Sequence, residues 1–125
     1  MATGLASLVA SGTRLWLDSV DPDLVREARA AGATGATSNP VIIADLVKGG
    51  RFNDRIAALA ATGIDDGGVA WALTDELVAR AEGKYLGVWE ASGGDDGWVS
   101  FELDPLIEDP ALPMTHDERV ARYVE

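Results

Sequence analysis

At 125 residues, 47% of them hydrophobic and 25% charged, the chain has the length of one domain and the composition of a folded protein rather than a disordered one. Its 21 acidic and 10 basic residues leave a formal net charge of −11, which disfavours nucleic acid and anionic lipid as partners and requires any phosphate clamp to be local or to lie outside this chain. The lack of cysteine excludes disulfides, zinc–cysteine sites and thiol nucleophiles; with no basic leader and no apolar run of membrane-spanning length, a cytoplasmic protein is expected.

GLASLVAS reads as a short helix with Leu5, Leu8 and Val9 on one face, ended by Gly12. RLWLDSV is brief, apolar and followed by turn residues, hence a strand. Asp21-Pro22 then opens a helix, because Asp accepts from free amides and Pro at the first helical position loses no bond it needed. Leu24, Val25 and Ala28 repeat at helical spacing until Gly32. ATGATS is a second strand whose glycine permits close backbone approach.

Asn39-Pro40 repeats the cap-plus-proline device and starts PVIIADLVK, which stops at Gly49-Gly50. Two helices follow, FNDRIAALAAT and GVAWALTDELVARAEGKYLGVWEA. In the longer one Val69, Leu73, Leu77 and Ala81 recur every four residues, as do Ala70, Thr74 and Val78, which predicts a broad buried face. SGGDDG is a tight loop, and WVSFELDP is a third strand closed by Pro105. THDERVARYVE fits a capping box of Thr115 and Glu118, and the sequence ends within that helix, which reads as a cut in a longer chain.

Strands alternating with helices imply right-handed crossovers and a parallel sheet. Because side chains alternate along a strand, Leu15 and Leu17 share one face while Trp16 and Asp18 share the other. Thr37 and Asn39 lie opposite Ala36 and Ser38; Val99, Phe101 and Leu103 lie opposite Trp98, Ser100 and Glu102. An apolar face belongs under helices. A mixed face ending in a carboxylate suits a barrel interior with its chemistry at the carboxyl ends of the strands, and this parity aims Asp18, Asn39 and Glu102 at one rim.

LWLDSV, GATSNPVII and GWVSFELDP, in that order and at that spacing, resemble the strand-end motifs of the transaldolase family, and the resemblance runs from about Leu5 to Glu125. It implies an α/β fold, a partial (β/α)8 TIM barrel in which three parallel strands and a helical insert between strands two and three form one unit over residues 1–125, with no separate second domain. It implies transfer of a dihydroxyacetone unit between sugar phosphates through a lysine Schiff base, without metal or organic cofactor. Under it Asp18 assists proton transfer at the sugar hydroxyl being cleaved, Asn39 holds a donor hydroxyl with Thr37 beside it, and Glu102 acts through water as acid and base. A carboxyl group tuned by burial can serve both roles near neutral pH, and a second carboxylate in different surroundings can keep a different protonation state.

One departure matters for activity. The family's Schiff-base lysine lies in a Lys-Ile-Pro motif on the fourth strand, whereas this chain holds only Lys48 and Lys84. Lys48 falls in the last turn of a helix and Lys84 follows Glu82 in an exposed-looking stretch, so neither suits the role. The bland readings are that Asn39 is a helix cap, Asp18 a turn-former, Glu102 a surface charge, His116 a solvated residue, Trp16, Trp71 and Trp98 packing groups, and Asp65-Asp66 and Asp95-Asp96 solvated turns rather than metal ligands. Two expectations result: an N-terminal portion of a transaldolase, inactive alone, or a free-standing noncatalytic module derived from one. Either exposes a sheet face and open edges, so self-association or pairing with a complementary fragment is expected.

Overall fold

A computed structural model describes residues 4–124. It is an α/β structure of six α-helices around two short parallel strands: α1 (Gly4–Ala10), β1 (Trp16–Leu17), α2 (Pro22–Ala30), β2 (Gly35–Ala36), α3 (Pro40–Lys48), α4 (Asn53–Ala60), α5 (Asp66–Ser92) and α6 (His116–Val124), with a 3-10 turn at Pro105–Glu108. Residues 1–3 and 125 of the expected 1–125 unit lie outside the described residues.

The helix starts follow their chemistry. Asp21 accepts from the amides of Asp23 at 2.8 Å and Leu24 at 3.1 Å, Asn39 from Ile42 at 2.9 Å, and Asp65 from Gly68 at 2.8 Å. The capping box at α6 is formed, with the Thr115 amide donating to Glu118 at 2.7 Å and the Glu118 amide to the Thr115 hydroxyl at 3.3 Å. The 27-residue α5 ends at Gly93 in the left-handed conformation, φ 65°.

β1 pairs parallel to β2, with Trp16 opposite Gly35 and Leu17 opposite Ala36. The third strand expected over residues 98–104 is corrected to one isolated parallel bridge between Ala36 and Val99. Its two bonds run from the Ala36 amide to the Trp98 carbonyl, 3.1 Å, and from the Ser100 amide to the Ala36 carbonyl, 3.0 Å. The physical reason lies in the partners: β2 ends at Ala36, and Pro105, which lacks an amide proton, closes the segment into the 3-10 turn.

Helices α2 to α5 supply the core that covers one face of this sheet. Leu17 and Val99 pack against a core of Val20, Val25, Ala36, Leu73, Leu77 and Tyr85. The opposite face carries Trp16, 39% exposed, and Trp98, 51% exposed. Gly35 is small by necessity, since a Cβ there would fall 2.6 Å from the Trp98 carbonyl oxygen and 2.7 Å from the Trp16 ring. On α5 the predicted residues Val69, Leu73, Leu77, Ala81, Thr74 and Val78 are buried, but Ala70 is exposed. Leu24 also departs from its predicted face, lying exposed on α2 beside the buried Val25; α1 leaves Leu5 and Leu8 exposed.

The loop after α5 is more closely packed than a solvated turn. Arg14 pairs with exposed Asp95 and approaches Asp96 at 3.6 Å, and Asp96 is only 8% exposed. Its carboxylate accepts from the Gly97 amide at 2.8 Å, while its own amide donates to the Ser92 hydroxyl at 2.9 Å. The solvated reading therefore holds for Asp95 and fails for Asp96, because Arg14 and the helix end supply partners that replace water. Among the described residues no helix is long and apolar enough to cross a membrane.

Candidate functional site

Asp18 and Thr37 follow the ends of the two paired strands. The Thr37 amide donates to the Leu17 carbonyl at 2.8 Å, which brings its side chain beside Asp18, and its hydroxyl donates to an Asp18 carboxylate oxygen at 2.7 Å. Asp18 is exposed and Thr37 half-buried, so the pair stands on the open sheet face with Trp16, as strand parity predicts. One Asp18 oxygen is oriented by the threonine.

Asn39 and Glu102 form a second pairing around a cavity of about 530 Å³. Its walls come from α3, the first turns of α5 and the chain from Glu102 to Leu106; Ile43, Val47, Trp71 and Leu106 make it largely apolar, with Lys48 and Asp104 among its polar lining. The Asn39 carbonyl oxygen is engaged by the Ile42 amide, which leaves its NH2 group as the available donor. Asp104 holds the Leu106 amide at 2.9 Å and so begins the 3-10 turn that closes one side. Trp71 packs against Phe101, ring centroids 6.0 Å apart.

The three predicted rim residues are thus brought to the strand ends but divided: Asp18 joins Thr37 on the open face, and Asn39 joins Glu102 at the cavity. Glu102 is exposed, not buried, because residues 101–104 lie beyond the last bridge of the sheet.

Two residues line the cavity that sequence reasoning did not place there, Lys48 having been considered only as a Schiff-base amine. Lys48 lines the same cavity as Asn39 and Glu102 while its Nζ sits 3.4 Å from Asp45. The signal was available, since Pro40, Ile43, Ala44, Val47 and Lys48 follow the spacing of a single helix face. Ser38 is the other: it is 2% exposed, and its hydroxyl donates to the Ser100 carbonyl at 2.8 Å. His116 is exposed in the first turn of α6, and among the described residues no group of three or more His, Asp or Glu side chains could hold a metal ion.

The sequence matches the model of the Transaldolase/Fructose-6-phosphate aldolase family over residues 15–124. It is 34% identical over 114 residues to a transaldolase of Frankia alni, covering 86% of this chain and 31% of that protein. Transaldolases of Renibacterium salmoninarum and Mycobacterium ulcerans are each 35% identical, over 84% and 82% of this chain and 30% of their own lengths. The chain therefore spans under a third of the length of the curated relatives it matches. With its strand-end residues and five of its six α-helices inside the matched region, the chain belongs to the transaldolase/fructose-6-phosphate aldolase family.

Proposed function

We propose that this chain is the N-terminal part of a transaldolase-type (β/α)8 barrel and carries part of its substrate site. The reaction is transfer of a dihydroxyacetone unit from a ketose phosphate to an aldose phosphate, with the Schiff-base lysine supplied from outside these 125 residues. The observation that carries this reading is the hydrogen bond from Thr37 to Asp18 across the ends of two adjacent parallel strands, in a chain of this family.

The chemistry assigned to each group follows from its surroundings. Asp18, one oxygen held by Thr37, keeps the other for the proton of the sugar hydroxyl whose neighbouring carbon–carbon bond is cleaved. Asn39 offers its NH2 to a donor hydroxyl because its carbonyl oxygen is committed to α3. Glu102 is assigned the water-mediated proton transfers of carbinolamine formation and dehydration. Lys48, although it reaches the cavity, has a side chain 75% exposed and paired with Asp45, whereas a Schiff-base lysine is desolvated or set beside another cation. In this reading the segment from 98 to 104, joined to β2 by its single bridge, occupies the place of a third strand, and the helices between β2 and that segment are an insert in the barrel.

Fructose 6-phosphate tests the proposal in two ways. Titration calorimetry with the 125-residue chain is expected to give weak binding that Asp18→Asn reduces, and no heat from the wild-type chain overturns the site. Borohydride added to the same mixture is expected to leave the protein mass unchanged. A stable sugar adduct on Lys48 or Lys84 overturns the assignment of the amine to a segment outside the chain.

The alternative, a noncatalytic module derived from a transaldolase, draws on the exposed face of Trp16 and Trp98 as an association surface. An oligomer that neither binds the sugar phosphate nor gains it under borohydride favours that reading.

A further inference from the structure

The segment that bears Glu102 is tied to the sheet by few bonds. In a parallel ladder built on the Ala36–Val99 bridge, successive rungs run from the Ala36 amide to the Trp98 carbonyl, from the Ser100 amide to the Ala36 carbonyl, and then from the Ser38 amide to the Ser100 carbonyl. The Ser100 carbonyl instead accepts from the Ser38 hydroxyl, at 2.8 Å. At this point the backbone is leaving the sheet, since β2 ends at Ala36 and Asn39 caps α3, which begins at Pro40. A serine side chain reaches back where the main chain is departing, and so continues the ladder by one rung.

We infer that Ser38 is a positioning residue, which holds the strand end bearing Glu102 against the one bearing Asn39 and so sets the separation of these two groups around their cavity. The inference rests on the site reading proposed above. Three facts carry it. Ser38 directly precedes Asn39, and Ser100 stands two residues before Glu102. The hydroxyl is 2% exposed as part of its residue, so water is a poor replacement for the bond. Beyond Ser100 the chain to Asp104 is neither helix nor strand, so this bond is the last link to the sheet before Glu102.

Ser38→Ala removes the hydroxyl and Ser38→Thr retains it. Two measurements on the intact chain separate positioning from general support. Hydrogen exchange of the Ser100 amide, which donates to the Ala36 carbonyl on the rung next to the Ser38 bond, is expected to accelerate about tenfold in Ser38→Ala, with α5 unchanged and Ser38→Thr close to wild type. Fructose 6-phosphate affinity by calorimetry is expected to fall about tenfold in Ser38→Ala at equal folded fraction, and to recover in Ser38→Thr.

Unchanged exchange of the Ser100 amide in Ser38→Ala overturns the inference. So does faster exchange throughout α5 with affinity per folded molecule preserved, which marks a merely structural serine. If the wild-type chain binds no sugar phosphate, the proposed site falls on that result alone, and the exchange comparison still decides whether the hydroxyl holds the Glu102 segment.

Discussion

Asn39 serves two ends at once, and the division of its amide shows how. The carbonyl oxygen accepts from Ile42 and starts α3, while the NH2 group remains for a ligand. The two roles are separable by substitution. Asn39→Asp keeps the acceptor and adds a charge favoured at a helix N-terminus, so stability by urea denaturation is expected within about 0.5 kcal/mol of wild type. Asn39→Ala removes the cap and is expected to cost about 1 kcal/mol. Both lose the donor, and both are expected to lose fructose 6-phosphate binding; a variant Asn39→Asp that binds as tightly as wild type shows that the NH2 group has no part in the site. At this scale the sequence was informative about which residues stand at strand ends and uninformative about their grouping. Parity placed Asp18 and Thr37 on one face, and they are hydrogen-bonded there. The same rule set Asn39 beside Thr37, but capping turns its side chain toward α3 and the cavity that Glu102 shares. Local hydrogen-bonding demand overrode alternation.

Helices were more legible than strands because four of the helix starts carry their own acceptor, α4 behind Phe52 being one that does not. Asp21, Asn39 and Thr115 sit where the sequence places a cap, whereas Asp65 caps α5 from a pair read as a solvated turn; in each case the bond to an amide two or three residues on is local. A strand has no such local closure. WVSFELDP has the composition of a seven-residue strand up to its proline, yet only Val99 forms a bridge, because pairing depends on whether a neighbour runs alongside, and β2 stops at Ala36. The same locality makes α6 testable by pH. Bonds from the Thr115 amide and hydroxyl stabilise the Glu118 carboxylate and lower its pKa from the ordinary 4.5. A lowered folded-state value means that the cap's contribution is complete above pH 4.5 and is lost as pH falls through the lowered pKa of Glu118. In an NMR titration the Thr115 amide is therefore expected to move with a midpoint below 4.5, as the start of α6 frays. Glu118→Gln keeps an acceptor for that amide and is expected to abolish the transition while leaving α6 formed at neutral pH; a midpoint at or above 4.5 contradicts the capping assignment.

For the whole molecule the opposing terms are an uncovered apolar face and a large negative charge. One side of the sheet is sealed by helices around Leu73, Leu77 and Tyr85, and the other presents Trp16 at 39% and Trp98 at 51% exposure. Leu5 and Leu8 on α1 and Leu106 beyond the bridge are exposed as well, and β1 lies at an edge of the two-stranded sheet among the described residues. Such a face and edge favour association. A formal charge of −11 per chain opposes it, and this repulsion is the part that salt removes, since screening shortens from about 10 Å at 0.1 M to about 3 Å at 1 M. Hydrophobic contact is not weakened by the same addition. Self-association is therefore expected to increase with protein concentration and to increase further with sodium chloride, as a rise in weight-average mass by light scattering. Trp98→Ser, which removes apolar area from the exposed face and leaves the buried core untouched, is expected to reduce that rise at every salt concentration. A monodisperse monomer across the whole range of protein and salt would mean that the open face of this sheet is stable against water, and the need for a covering partner would fall with it.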